Sequence, residues 1–242
     1  MPEKTIETLR AKALELWEDK GLLREPVSVR ARTLSAEEAI GDPEGGDFPL
    51  RKGKERLMEA AFQGVRGQAF TDMFGDFSGT LADIAAMPLE NNFRRAVFVS
   101  TLNASLRSLG LCDHTVHCRD EGPTQCALKL REHISERYGD VRITQVGFQP
   151  KFVAALAPAF KLRVLDLDPD NIGKTLHGAR IEGPETRAEA VAWADLVLVT
   201  GSSVANGSLG SFLTGRPVLV FGVTGAAAAT LLGLDRFCVN AA

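Results

Sequence analysis

The hydrophobic pattern changes its period near the middle of the chain. Ile6, Leu9, Ala13, Leu16 and Trp17 recur three and four residues apart, one face of a helix, with Gly21 as its stop. Residues 26–32 alternate instead, Val27, Val29 and Ala31 against Ser28, Arg30 and Arg32, which predicts a strand with one wet face. Residues 35–54 are polar and turn-rich and predict a long loop, of a length that is more often functional than filler. Residues 57–65 and 68–72 flank Arg66-Gly67 and predict a β-hairpin turning there. Thr80 with Asp83 resembles a capping box for a short helix ending before Pro88. Asn92 is predicted to cap a longer helix over 93–109, with Gly110 past its end.

After Gly110 the rhythm becomes an alternation of helices with near-continuous Val/Leu strands. Helices are predicted over 123–138, from about 150, over 186–193, over 208–213 and over 226–232. Strands are predicted over 141–147, 162–167, 196–200 and 217–221. Apolar strands alternating with helices signal a parallel sheet covered on both faces. The fold class is therefore α/β: a Rossmann-like, doubly wound, mostly parallel sheet over 111–242, preceded by a smaller α+β unit over 1–110.

Composition narrows the function classes. The chain has 242 residues, 45% hydrophobic and 24% charged, which suits a buried core and excludes a disordered or low-complexity protein. It holds 15 basic and 17 acidic residues up to Gly110, then 13 and 14 after it. Neither part carries the basic field that nucleic acid requires, so none is expected as a partner. The start Met1-Pro2-Glu3-Lys4 runs straight into a charged amphipathic stretch, so no signal peptide is expected. The uncharged stretches 196–215 and 217–234 approach the length of a membrane span, but Gly, Ser, Asn, Thr or Pro interrupts each one. They read as strand, turn and helix in tandem, and the expected location is cytoplasmic.

Ligands of doubly wound sheets lie beyond the carboxyl ends of the strands. At the first such end, Gly147-Phe148-Gln149-Pro150 lacks the glycines of a dinucleotide fingerprint, so NAD and FAD are not supported; Gln149 remains a ligand-binding candidate or a turn residue. The second end, Asp166-Leu167-Asp168-Pro169-Asp170-Asn171, offers Asp166, Asp168 and Asn171 either to a ligand or to their own turn. The loop Thr200-Gly201-Ser202-Ser203-Val204-Ala205-Asn206 is richer in small and polar residues than capping requires. It predicts a binding site formed by Thr200, Gly201, Ser202, Ser203 and Asn206. Asn103, inside the otherwise apolar stretch 96–106, is predicted to face the cleft between the two units. Arg94 and Arg95, in the first turn of that helix, face either an anionic ligand or solvent.

The densest chemistry precedes the first parallel strand, in His114-Thr115-Val116-His117-Cys118-Arg119-Asp120-Glu121. Imidazole, thiol and carboxylate gather there just ahead of a helix N-terminus, which favours thiolate and suits a soft metal or a nucleophile. Cys118 and Cys126 are eight residues apart, which matches no zinc-ribbon pair. Cys126 lies on the apolar helix face and Cys238 follows the end of the chain's last apolar run. Each reads either as core or as a further thiol of the site.

These residues resemble the putative heavy-metal chelation family, found largely in anaerobic prokaryotes. The resemblance rests on Phe48-Pro49-Leu50 with Lys52-Gly53-Lys54-Glu55, on Gly67-Gln68-Ala69-Phe70-Thr71-Asp72 and on Thr115-Val116-His117-Cys118 with Asp120-Glu121. It rests also on the run from Asp166 to Gly173, on Thr200-Gly201-Ser202 with Asn206-Gly207, and on Arg236-Phe237-Cys238. The chain departs from the pattern where Gly122 separates Glu121 from Pro123. The resemblance implies an enolase-N-terminal-like unit before the Rossmann-like one, with a site in the cleft between them. It points to His117, Cys118, Asp120 and Glu121 as metal ligands, with Asp166 and the Thr200–Asn206 loop opposite. The implied function is handling of a transition-metal ion or a metal-containing small molecule. Two alternatives stand beside it. One is a transferase or hydrolase acting on a nucleotide-like or anionic molecule with Cys118 as nucleophile. The other is a non-catalytic adaptor subunit, with the loop at 35–54 as its interaction surface; a homo-oligomer is compatible with any of the three.

Overall fold

The computed structural model describes residues 2–31, 55–118 and 122–242, so the predicted loop at 35–54 and the carboxylates of Asp120 and Glu121 lie outside the described residues. Helix α1 (Pro2–Asp19) buries Ile6, Leu9, Ala13 and Trp17, the predicted stripe, and the Trp17 indole N–H donates to Ser105 Oγ at 3.0 Å. Strands β1 (Pro26–Arg30), β2 (Arg56–Phe62), β3 (Val65–Thr71) and β4 (Phe77–Thr80) form an antiparallel sheet in the order β3-β2-β1-β4.

The hairpin turns earlier than the sequence predicts, at Gln63-Gly64. Both residues have positive φ (46° and 80°), the backbone that a two-residue type I′ turn requires. Gly67 instead serves packing: a Cβ there would lie 2.2 Å from the Ala104 backbone nitrogen and 2.4 Å from the Ser100 carbonyl oxygen. Helix α2 (Leu81–Ala86) starts at the predicted capping box, with Asp83 N–H donating to Thr80 Oγ1 at 3.2 Å and Thr80 N–H to Asp83 Oδ2 at 2.8 Å. Helix α3 (Asn92–Ser108) is capped by Asn91 rather than Asn92; Asn91 Oδ1 accepts from Arg94 N–H at 2.9 Å, while the Asn92 amide donates to Asp72 at 2.6 Å.

The second part holds α4 (Gly122–Tyr138), β5 (Arg142–Val146), α5 (Pro150–Leu156), β6 (Lys161–Leu165), β7 (Thr175–Leu176) and β8 (Ala179–Glu182). It continues through α6 (Arg187–Trp193), β9 (Leu196–Thr200), α7 (Ser202–Ala205), β10 (Val218–Phe221), α8 (Ala226–Leu232) and β11 (Asp235–Phe237). The sheet order is β11-β10-β9-β5-β6-β8-β7. Only β7 runs antiparallel, against β8; the six parallel strands, numbered in chain order, read 3-2-1-4-5-6, the doubly wound arrangement with its switch point between β5 and β9. The predicted helix over 208–213 reduces to a 3₁₀ turn, Leu209–Ser211, and the helical turn comes earlier, as α7. The β7–β8 hairpin, absent from the sequence prediction, turns at His177-Gly178, again with two positive φ values (49° and 82°).

One face of the large sheet packs Ile143, Leu198, Leu219 and Phe237 against α4 and α5. The other face packs Val197, Val199, Val218 and Val220 into a core that also holds Leu9, Trp17, Met58 and Leu102 from the first part. Helix α3 lies at the centre of that common core, buried at every position from Ala96 to Leu106, between strands β2 and β3 on one side and α7 and α8 on the other. Among the described residues no helix is long and apolar enough to cross a membrane.

Candidate metal site at the strap between α3 and α4

Helix α4 runs back along the sheet. Near its end, Tyr138 Oη donates to Asp235 at the start of β11, at 2.8 Å, while near its start Cys126 meets the backbone of Val239 and Asn240, just past the end of β11. The N-terminus of α4 therefore stands at the carboxyl edge of the parallel strands, where doubly wound sheets bind ligands.

Residues 112–118 form a strap leading into that edge, and it is clamped from four sides. Gln68 N–H on β3 donates to the Thr115 carbonyl at 3.0 Å, and Thr115 Oγ1 donates to the Arg66 carbonyl at 2.6 Å. Arg107 on α3 reaches Thr115 Oγ1 at 3.0 Å and the Ala242 carbonyl at 2.9 Å. Val116 and Ala242 exchange backbone hydrogen bonds, both of 2.9 Å. Arg236 donates to the carbonyls of Asp113 (3.1 Å) and His114 (2.6 Å). The Gln68 side chain ends the clamp, its Oε1 accepting from His117 N–H at 2.7 Å.

His117 is thus fixed by its backbone, and its ring stands edge-on to Phe70 at a centroid distance of 5.3 Å. Its Nδ1 is buried without a hydrogen-bond partner. Burial pushes the imidazole down to about 4, offset in part by contact with the Cys118 backbone, so the ring is neutral at physiological pH. A neutral imidazole with an unengaged nitrogen is the form that ligates a metal.

Cys118, Cys126 and Cys238 are all free, and each lies close enough to another for its charge to be felt. Loss of hydration pushes Cys118 up to about 12 and Cys238 up to about 11, and it raises Cys126 too. Such thiols stay protonated and are poor nucleophiles unless a metal takes the place of the proton. Cys112, the fourth cysteine, packs against the common core instead, its thiol near the Asn103 carbonyl at 3.8 Å. Among the described residues no three His, Cys, Asp or Glu side chains are already arranged to share one ion.

The other predicted ligand residues are engaged within the protein. Asn103 does face the junction of the two parts, but its amide is saturated. Nδ2 donates to the carbonyls of Gln68 (2.9 Å), Val223 (3.1 Å) and Thr224 (3.3 Å), and Oδ1 accepts from Ala227 N–H (2.9 Å). Gln149 caps α5, accepting from Lys151 N–H at 2.7 Å. Asp166 accepts from the N–H groups of Phe148 (2.7 Å) and Asp168 (2.9 Å) and from the Asn171 amide (3.2 Å), while Asp168 accepts from Asp170 N–H at 3.0 Å.

The same holds in the glycine-rich loop. Thr200 Oγ1 accepts from Ser202 N–H at 3.3 Å, Ser203 Oγ donates to the Thr200 carbonyl at 2.7 Å, and Asn206 Oδ1 accepts from Ser208 N–H at 3.0 Å. A Cβ on Gly201 would sit 2.2 Å from the Gly225 backbone nitrogen, so this glycine lets two loops touch. Arg95 donates to the carbonyls of Leu89 (2.8 Å) and Ala205 (3.0 Å), tying α3 to α7, and Arg94 pairs with Glu90 at 3.6 Å.

Sequence reasoning missed Glu55 and Asp72. Glu55 retains exposed surface yet is crowded near Asp166 and Asp72; loss of hydration first, and those two charges second, push its carboxyl up to about 7. Gln68 and Gln145 were missed as well: Gln145, fully buried on β5 beside the switch point, donates to the Gly147 carbonyl at 3.0 Å while its Oε1 has no partner.

The model of the DUF364 family, described as putative heavy-metal chelation, matches residues 130–234. The resemblance read from the motifs is borne out there. The match to the chelation family runs from the middle of α4 to just before β11, so it covers six of the seven strands of the large sheet and stops short of His117, Cys118, Cys126 and Cys238. A protein of unknown function from the same family of Pyrococcus horikoshii has a similar structure, with a TM-score of 0.52 at 15% identity over 91% of this chain and 80% of that one. Another, from Desulfitobacterium hafniense DCB-2, gives a TM-score of 0.50 at 15% identity over 73% of this chain and 72% of that one. At such identity the likeness establishes the fold alone: a mixed α/β protein with a mostly parallel sheet of seven strands and a smaller antiparallel one. No curated protein matches the sequence.

Proposed function

We propose that the protein binds a transition- or heavy-metal ion, free or as a small complex, with His117 and Cys118 as ligands and Asp120 and Glu121 as further oxygen donors. The observation that carries this reading is the buried His117 Nδ1 without a partner, on a strap held rigid by Gln68, Arg107, Arg236 and Ala242. An orphaned buried nitrogen carries a desolvation cost that a bound ion would offset. The fixed backbone supplies the support that metal ligands need from their surroundings. Imidazole and thiol together favour Zn, Ni, Co, Fe or Cu over Mg and Ca. The family description agrees with metal binding.

The test is metal analysis of protein purified without oxygen. One Ni, Co, Fe, Cu or Zn per chain, lost in His117→Ala and in Cys118→Ala, is the expected result. A protein that retains no metal, and whose melting temperature no metal ion moves, overturns the reading.

A further inference from the structure

We propose that Glu59 and Gln68 are positioning residues for His117: the Glu59 carboxylate sets the direction of the Gln68 amide, and that amide holds the histidine where its ring can ligate. The inference rests on the metal-binding reading above and adds the pair of residues that sets the affinity of its site.

Gln68 lies on β3 directly opposite Glu59 on β2, and it is only 3% exposed. Its Nε2 donates to Glu59 Oε2 at 2.6 Å, and its Oε1 accepts from His117 N–H at 2.7 Å. Arg66 stands 3.6 Å from the same carboxylate oxygen. A side-chain amide has one donor end and one acceptor end. The backbone N–H needs the oxygen and the carboxylate needs the NH₂, so the amide cannot turn over without losing both bonds. The carboxylate also polarises the amide, which strengthens the bond to His117.

Gln68 grips the strap twice. Its backbone N–H donates to the Thr115 carbonyl at 3.0 Å, and its side chain takes the His117 N–H two residues on. The same strand brings Phe70 edge-on to the imidazole. Held by its backbone and bordered by that ring, His117 keeps Nδ1 buried and without a partner. Pairing within the hairpin explains why Glu59 and Gln68 bond to each other across the ladder. It does not explain why the amide spends its other end on a segment from outside the hairpin, at the one residue whose ring nitrogen is left open.

The test is Co²⁺ titration of the reduced full-length protein without oxygen, read by visible absorption, beside hydrogen exchange of the His117 amide in the metal-free protein. Gln68→Leu removes the acceptor, so the His117 amide should exchange faster and Co²⁺ should bind about tenfold more weakly or worse. Glu59→Leu frees the amide to turn and should move both readings in the same direction. The double variant Glu59→Gln with Gln68→Glu exchanges donor and acceptor yet keeps both bonds, so it should restore slow exchange and tight binding. A role in stability alone would lower the melting temperature and leave both readings unchanged. If either leucine variant binds Co²⁺ as the wild type does, or the double variant binds as weakly as Gln68→Leu, the positioning pair is overturned; loss of Co²⁺ in His117→Ala would then leave the broader reading standing. If the wild type binds none of Co²⁺, Ni²⁺, Zn²⁺ or Cu²⁺, both are overturned. Should Gln68→Leu fail to fold, Glu59→Leu and the double variant decide.

Discussion

Asn103 Oδ1 accepts a hydrogen bond from Ala227 N–H at 2.9 Å, across 124 residues of sequence. The same amide donates to the carbonyls of Gln68, Val223 and Thr224, so one side chain joins β3, α3 and the start of α8. Asn103→Leu fills similar space and leaves these backbone groups buried and unpaired, at about 1–3 kcal/mol for each group that water cannot reach. Urea unfolding should show a loss of about 3 kcal/mol or more. A loss below about 1 kcal/mol would mean that the junction relaxes around the apolar side chain.

Gly64 and Gly67, three residues apart in the hairpin, have different tasks, and alanine separates them. At Gly64 (φ 80°) nothing lies within 4 Å of an added Cβ, so Gly64→Ala should cost about 1 kcal/mol from backbone strain alone. At Gly67 the methyl meets the backbone of α3, which cannot move aside as a side chain would, and the expected cost is about 2–4 kcal/mol. Equal midpoints for the two variants in denaturant would refute the close approach of α3 to β3.

Strong acid should weaken a pair inside the large sheet. Arg163 on β6 donates through Nε to Glu182 on β8 at 2.7 Å, with the two side chains only 18% and 16% exposed. The guanidinium holds the Glu182 carboxyl below its usual value of 4.5. A carboxyl lowered by folding stabilises the protein above its unfolded value, and that contribution fades as pH falls through the lowered one. Wild-type stability should therefore drop below about pH 4.5 more steeply than that of Glu182→Gln. At neutral pH the variant should lose about 1–3 kcal/mol, since Arg163 keeps Glu189 at 2.7 Å. Parallel pH profiles for the two proteins would rule out this pair as a contributor.

Metal should raise the melting temperature of the reduced protein. An ion held only by the folded state adds about 2.7 kcal/mol at a hundred times its Kd, which for a chain of this size is a shift of roughly 5–10 °C. The shift should vanish in Cys118→Ala and in His117→Ala, and Asn103→Leu should lower the starting temperature yet keep it. A shift of equal size in Cys118→Ala would place the ion elsewhere.

How much of this was legible in advance differs from element to element. The Trp17 stripe, the capping box at Thr80 and the strand at 196–200 follow from spacing and local hydrogen bonding, which a sequence displays directly. The two hairpin turns were misplaced or unseen because Gln63 and His177 carry no turn signature; the glycine after each, with its positive φ, completes the bend. Gly67 misled for the opposite reason, since a glycine required by a crossing helix looks like a glycine required by a turn. The polar loop at 200–206 and the acidic turn at 166–171 have compositions equally suited to ligands and to their own backbone, and only coordinates show which partners they took.

The sequence by itself determined the alternation of apolar strands and helices, the change of period near Gly110, and the chemical loading of residues 114–121, all of which depend on neighbours along the chain. Tertiary structure alone decided which groups remain open. It saturated Asn103 and Asp166 and shut His117 Nδ1 away without a partner. The physical reason is that hydrogen-bond satisfaction and burial depend on which distant segments meet, and residue spacing along a chain does not encode that meeting.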